Sequence, residues 1–220
     1  MESPADDALA EFVAVMRRLR AECPWKQEQT HRSLARYLLE ETHETLEAID
    51  SGDMAHLREE LGDLLLQVVF HAVIAEQAGE FDLDDVARDI TDKMRRRNPH
   101  VFAPSEVEEL AQGASPAHTA ASVTEVWEQI KATEKGRDHV TDGLPPGLPA
   151  LLYADKVLDR LAREGRSEPP LVEVRRVQRG ASKPPAADDL GDRLLALVAE
   201  SRERGVDPEQ ALRDAVRRLL

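Results

Sequence analysis

Apolar residues recur along this chain at helical spacing, and almost nowhere with the two-residue alternation of a half-buried strand. Residues 8–22 predict a first helix, closed at Cys23-Pro24. Residues 31–50 predict a second, stopped by the turn Ser51-Gly52-Asp53, and residues 54–78 a third, ended by Gly79. A fourth covers 83–97, with Asp82 as its N-cap and Asn98-Pro99 as its terminator. Over 104–122 the composition turns to Ala, Ser, Glu and Pro, the pattern of a mobile linker, and a short helix resumes over 123–134. A Gly- and Pro-rich stretch at 143–149 opens a C-terminal region. There 151–163, 190–204 and 208–219 predict helices and 180–187 a loop. The expected fold is all-α, with one helical domain over 1–135 (linker about 103–122) and a second region over 136–220.

A faint repeat links the two regions. Asp189-Leu190-Gly191-Asp192-Arg193-Leu194-Leu195 echoes Glu60-Leu61-Gly62-Asp63-Leu64-Leu65-Leu66. Each copy is followed, after a Gly-containing break, by a helix that ends in arginines.

Charge narrows the function. The 220 residues carry 43 acidic and 29 basic side chains, a net charge of −14, which disfavours coating a nucleic-acid polymer or a polyanionic membrane surface. An anionic ligand would need a metal ion or a local basic cluster. The core is aliphatic, since aromatic residues are only 4%. The single cysteine, Cys23, excludes an internal disulfide and a cysteine zinc cage. The acidic N-terminus lacks a signal-peptide pattern, and the longest apolar run, 64–75, is interrupted by Gln67 and His71. A cytoplasmic protein with no membrane partner is the expectation.

Two acidic pairs stand on consecutive helices, Glu41 with Glu44 and Glu60 with Asp63, each at i,i+3 and so on one face. Glu44 lies eight residues before Gly52 and Glu60 eight after it; Glu41 and Asp63 lie eleven before and after. In an antiparallel hairpin Glu44 would meet Glu60 and Glu41 would meet Asp63, roughly 12 and 16 Å from the turn. Most acidic residues on helices are simply solvated, and Glu47 fits that description. The third helix does not. Leu61, Leu64, Leu65, Leu66, Val68, Val69 and Val73 point all round its axis, and its polar residues Glu60, Asp63, Gln67 and His71 fall within an arc of roughly 80°. A narrow acidic stripe on a buried helix needs a partner, because a lone ionised carboxylate is expensive to desolvate. A hard divalent cation with oxygen ligands fits, Mg²⁺ first with Mn²⁺ as a substitute; zinc fits poorly without a His/Cys cluster.

The second constellation is basic. Lys93, Arg95, Arg96 and Arg97 end the fourth helix, a placement the helix dipole alone favours. Downstream of a metal site it also suits a polyphosphate. Trp127 and Lys131 repeat the i,i+4 spacing of Lys93 and Arg97, so Trp127 could stack on a base and Lys131 hold a phosphate, or Trp127 could close the core.

Cys23-Pro24-Trp25-Lys26-Gln27-Glu28-Gln29-Thr30, Leu39-Glu40-Glu41-Thr42-His43-Glu44 and Glu59-Glu60-Leu61-Gly62-Asp63-Leu64-Leu65 closely resemble MazG-type nucleoside triphosphate pyrophosphohydrolases. So do Arg96-Arg97-Asn98-Pro99-His100-Val101-Phe102 and Val126-Trp127-Glu128-Gln129-Ile130-Lys131, and the match covers about residues 8–135. The resemblance implies an all-α pyrophosphatase bundle whose core is completed by a homodimer or higher oligomer. It implies Mg²⁺-dependent cleavage of NTPs and dNTPs at the α–β bond, giving the monophosphate and pyrophosphate, in nucleotide-pool house-cleaning. It carries the metal ligands onto Glu41, Glu44, Glu60 and Asp63, and nucleotide contacts onto Lys93, Arg96 or Arg97, Trp127 and Lys131. Glu40 or Glu41 is the expected base. No EExxE segment precedes the second Leu-Gly-Asp, so 136–220 is expected to be a shortened second copy without its own active site. The competing readings are a narrower dUTP, dCTP or phosphoribosyl-ATP pyrophosphohydrolase and a non-catalytic regulatory binding module.

Overall fold

The computed structural model describes residues 4–103, 123, 124, 126, 127, 130, 134, 139–165 and 187–219. No strand occurs among them. They divide into two compact units, Met1–Lys131 and Ala132–Leu220.

In the first unit α1 spans Pro4–Glu22, α2 Pro24–Glu28, α3 His31–Ser51, α4 Met54–Ala78, α5 Leu83–Arg97 and α6 Pro99–Phe102. The described residues between 123 and 134 are helical, while the expected linker over 104–122 lies outside the described residues. The short helices α2 and α6 were not expected. Both begin on proline, which ends the preceding helix yet is tolerated at the first turn of a new one, where its missing N–H is not needed. Cys23 between α1 and α2 is accordingly extended, at φ −89° and ψ 116°.

The hairpin of α3 and α4 positions the acidic residues. Its turn is tight because Gly52 takes φ 72°, a left-handed conformation that a side chain would strain, and its N–H donates to the Ile49 carbonyl. Asp53 then caps α4, its Oδ1 accepting from the Ala55 and His56 N–H groups at 2.9 and 3.1 Å. Thr30 opens α3 with a capping box to Ser33. The unit is closed by Val13 and Met16 of α1, Leu34 of α3, and Val69, Phe70 and Val73 of α4, with Phe12, Leu19, Tyr37 and Leu66 packed around them. α4 is also long and apolar enough, on average, to cross a bilayer. Within the fold it supplies half of the buried core cluster.

In the second unit α7 spans Ala150–Arg163, α8 Ala187–Glu203 and α9 Pro208–Arg217. Leu158, Val198 and Ala199 form its small core. Arg202 of α8 ties α7 down, donating to Asp155 Oδ1 at 2.9 Å and to Asp159 Oδ1 at 3.0 Å. Burial raises the Asp159 pKa, but the hydrogen bonds from Arg163 and Arg202 outweigh it and leave the carboxyl below its ordinary value. Most of the loop expected over 180–187 lies outside the described residues, and Ala187 already begins α8.

Candidate functional site

Carboxylate oxygens of Glu41, Glu60 and Asp63 lie within 4.8 Å of one another, across the α3–α4 hairpin. Glu60 is buried, and Glu41 and Asp63 are half-buried. The side chains converge because α3 and α4 leave a two-residue turn and pack antiparallel, which brings Glu41 back to the level of Asp63. Thr45, buried one turn below, donates its hydroxyl to the Glu41 carbonyl at 2.8 Å. Glu44 is exposed and falls outside this tight group, though it lies close enough to help raise the Glu41 pKa. Glu40 and Glu47 are exposed on other faces of α3.

Such a group is electrostatically strained. Burial, then the charges of Asp63, Glu44 and Glu60, all push the Glu41 pKa above its ordinary value. Glu60 has one partner, His56 Nε2 at 3.0 Å from Oε1, one helical turn back. Its other oxygen, Oε2, is buried and accepts no hydrogen bond. An unmet carboxylate oxygen beside two further carboxylates is what a divalent metal would complete. The donor set is oxygen only, which suits a hard ion. His56 was missed in the sequence; its i,i+4 spacing to Glu60 was the available signal.

The basic end of α5 follows its helix. Lys93 is half-buried, Arg96 is exposed, and Arg97 is buried with its guanidinium 5.0 Å from the centre of the Trp127 ring. The structure therefore joins Arg97 to Trp127 as a stacked cation–π pair. Lys131 lies outside the described residues. A second feature was not expected. His31 and His71, forty residues apart, stack at 5.0 Å and 5° with their Nδ1 atoms 2.7 Å apart.

The model of the MazG nucleotide pyrophosphohydrolase domain matches residues 29–102, a span that holds all four acidic candidates and the basic end of α5. The chain is similar to the nucleoside triphosphate pyrophosphohydrolase/pyrophosphatase MazG of Thermotoga maritima, with 37% identity over 222 residues, taking in 96% of this chain and 82% of that one. It is similar to the nucleoside triphosphate pyrophosphohydrolase of Escherichia coli K12, with 39% identity over 225 residues, 93% of this chain and 81% of that one. The crystal structure of a mazG-related protein from Thermotoga maritima covers 56% of this chain and 97% of its own, at 23% identity and a TM-score of 0.45. Identity at this level, across both units and most of each relative's length, is far more than a shared helical hairpin produces: the chain belongs to the MazG nucleotide pyrophosphohydrolase family.

Proposed function

We propose that this protein is a Mg²⁺-dependent nucleoside triphosphate pyrophosphohydrolase that converts NTPs and dNTPs to the monophosphate and pyrophosphate. The observation that carries the reading is the convergence of Glu41, Glu60 and Asp63, with one buried oxygen unmet, in a chain of this family. Glu41, Glu60 and Asp63 would hold the cation, with Glu44 at the exposed rim. Bound there, Mg²⁺ supplies charge neutralisation on the triphosphate oxygens. The chain's own residues do the rest. Water attacks the α-phosphorus in line, the new O–P bond forms as the bond to the α–β bridging oxygen breaks, and the water proton passes to a carboxylate. Glu41 and its exposed neighbour Glu40 are the candidates for that base. Lys93, Arg96 or Arg97, and Lys131 neutralise the leaving pyrophosphate, and Trp127 completes the nucleotide contacts.

The apolar residues Leu61, Leu65 and Val68 of α4 and Leu38 and Leu39 of α3 stay exposed. A patch of this kind supports a homodimer or higher oligomer that buries it. Region 136–220 is a shortened second copy, with a packing role and no active site. The setting is cytoplasmic, in nucleotide-pool house-cleaning.

The test is turnover of a panel of NTPs and dNTPs with and without Mg²⁺, with products separated by chromatography. Monophosphate and pyrophosphate are expected only with metal. Diphosphate and orthophosphate would overturn the cleavage position. Glu41→Gln should abolish turnover without unfolding the protein, and Glu47→Gln should be nearly silent.

A further inference from the structure

α4 carries a single line of polar residues on an otherwise apolar middle: Glu60, Asp63, Gln67 and His71. Glu60 and Asp63 belong to the carboxylate group. The other two take no part in it, and each keeps an unmet polar atom. Gln67 is only 3% exposed and its Oε1 accepts no hydrogen bond. His71 Nε2 is buried and equally unpartnered, while Nδ1 faces His31.

Core stability does not account for these residues. A buried amide carbonyl without a donor costs the fold the full desolvation of that group. The neighbouring buried positions of the same helix, Val69, Phe70, Ala72 and Val73, are all apolar. Burial, and then the nearby His31, lower the His71 pKa below its ordinary value, so the ring is neutral at pH 7 and has one nitrogen to donate and one to accept.

Their position along the helix suggests a use. Gln67 stands four residues beyond Asp63 and His71 eight, about 6 and 12 Å along the axis. With the phosphates held at the carboxylate end, the part of a substrate that extends along this line is the nucleoside. We propose that Gln67 and His71 line the nucleoside subsite, and that Gln67 Oε1 favours substrates presenting an N–H or O–H donor there, from a base amino group or a sugar hydroxyl. This rests on the function proposed above.

The test is Gln67→Met, which keeps the volume and removes the acceptor, with His71→Phe as a second, independent variant. Melting temperature establishes that each is folded. Calorimetry gives the affinity for Mg²⁺ alone and, with Mg²⁺, for inorganic tripolyphosphate, which has no nucleoside. Kinetics then give kcat and KM across nucleotides. We expect KM to rise about tenfold for the preferred nucleotides, with kcat, Mg²⁺ affinity and tripolyphosphate affinity unchanged. A penalty that disappears when adenine is replaced by hypoxanthine assigns the donor to the base amino group. One that disappears on removing a sugar hydroxyl assigns it to the sugar. Unchanged KM for every nucleotide in both variants would overturn the proposal, as would an equal loss of tripolyphosphate or Mg²⁺ affinity, which would place these residues at the phosphate end. If the wild type turned over no nucleotide, the functional reading itself would fail. Binding of an α,β-methylene triphosphate nucleotide, compared between wild type and variants, would then test the subsite alone, with equal affinity overturning it.

Discussion

Replacing Asp63 with Asn separates what the carboxylate group costs the fold from what it is used for. The oxygens of Glu41, Glu60 and Asp63 lie within 4.8 Å. Two unit charges at that distance repel by about 3 kcal/mol at an effective dielectric of about 20. Asp63 is half-buried, so solvent and salt screen part of this, and the raised Glu41 pKa reflects the same repulsion. Without metal, Asp63→Asn should therefore stabilise the protein by about 1–2 kcal/mol, or about 2–8 °C in melting temperature. With Mg²⁺ at a hundredfold its dissociation constant, the wild type should gain about 2.7 kcal/mol. The variant has exchanged a charged ligand for a neutral amide and should gain little. The order of stability thus inverts between EDTA and Mg²⁺, and scanning calorimetry of both proteins in both solutions reads it directly. A variant less stable than wild type in EDTA would mean that the carboxylates are satisfied by the fold itself. An equal gain from Mg²⁺ in both proteins would mean that the ion binds elsewhere.

Three further outcomes are expected. The Glu41 pKa is raised in the folded, metal-free protein, so that state holds a proton which the unfolded chain has released; the stability this contributes is full below the ordinary carboxylate pKa and is lost as pH rises through the raised value. Cation binding should expel the proton, so its affinity should increase with pH over that window, and its heat should differ between buffers of different ionisation enthalpy; a buffer-independent heat would refute the linkage. Phe70→Ala, at the centre of the α1–α3–α4 core and 1% exposed, should cost about 3–5 kcal/mol by denaturant unfolding of the first unit. Leu65→Glu on the exposed face of α4 should leave the isolated fold intact but shift sedimentation toward the monomer, and an unchanged oligomer would move the interface off this face.

Much of the helical frame was legible because its punctuation is local. The expected third and fourth helices coincide with α4 and α5, and Gly52, Asp53 and Asp82 do at the helix ends what their residue types suggest. The helices α2 and α6 were hidden because proline carries two opposite signals, ending one helix and opening the next, and only the path of the chain decides between them. The convergence of Glu41 with Asp63 was also legible, since equal distances from a tight turn become equal levels in an antiparallel hairpin.

What the spacing could not provide was how helix rotation divides the four acids between interior and solvent. Counting residues treats Glu41 and Glu44 alike. Their rotation about α3 differs by about 60°. In the packed hairpin that difference leaves Glu41 half-buried against α4 and Glu44 exposed. The same rotation, set by core residues such as Leu34, Val69 and Phe70, also decides the fate of the polar line on α4. It brings His71 against His31 and buries the Gln67 carbonyl without a donor. Neither relationship has a local spacing to reveal it, because the residues that create each one belong to different helices. Among the described residues of the first unit, the buried side-chain atoms without a hydrogen-bond partner, on Glu60, Gln67 and His71, lie on the one helix line that sequence periodicity had already marked as anomalous. A fold that needed only a stable α4 would have filled that line with leucine and valine.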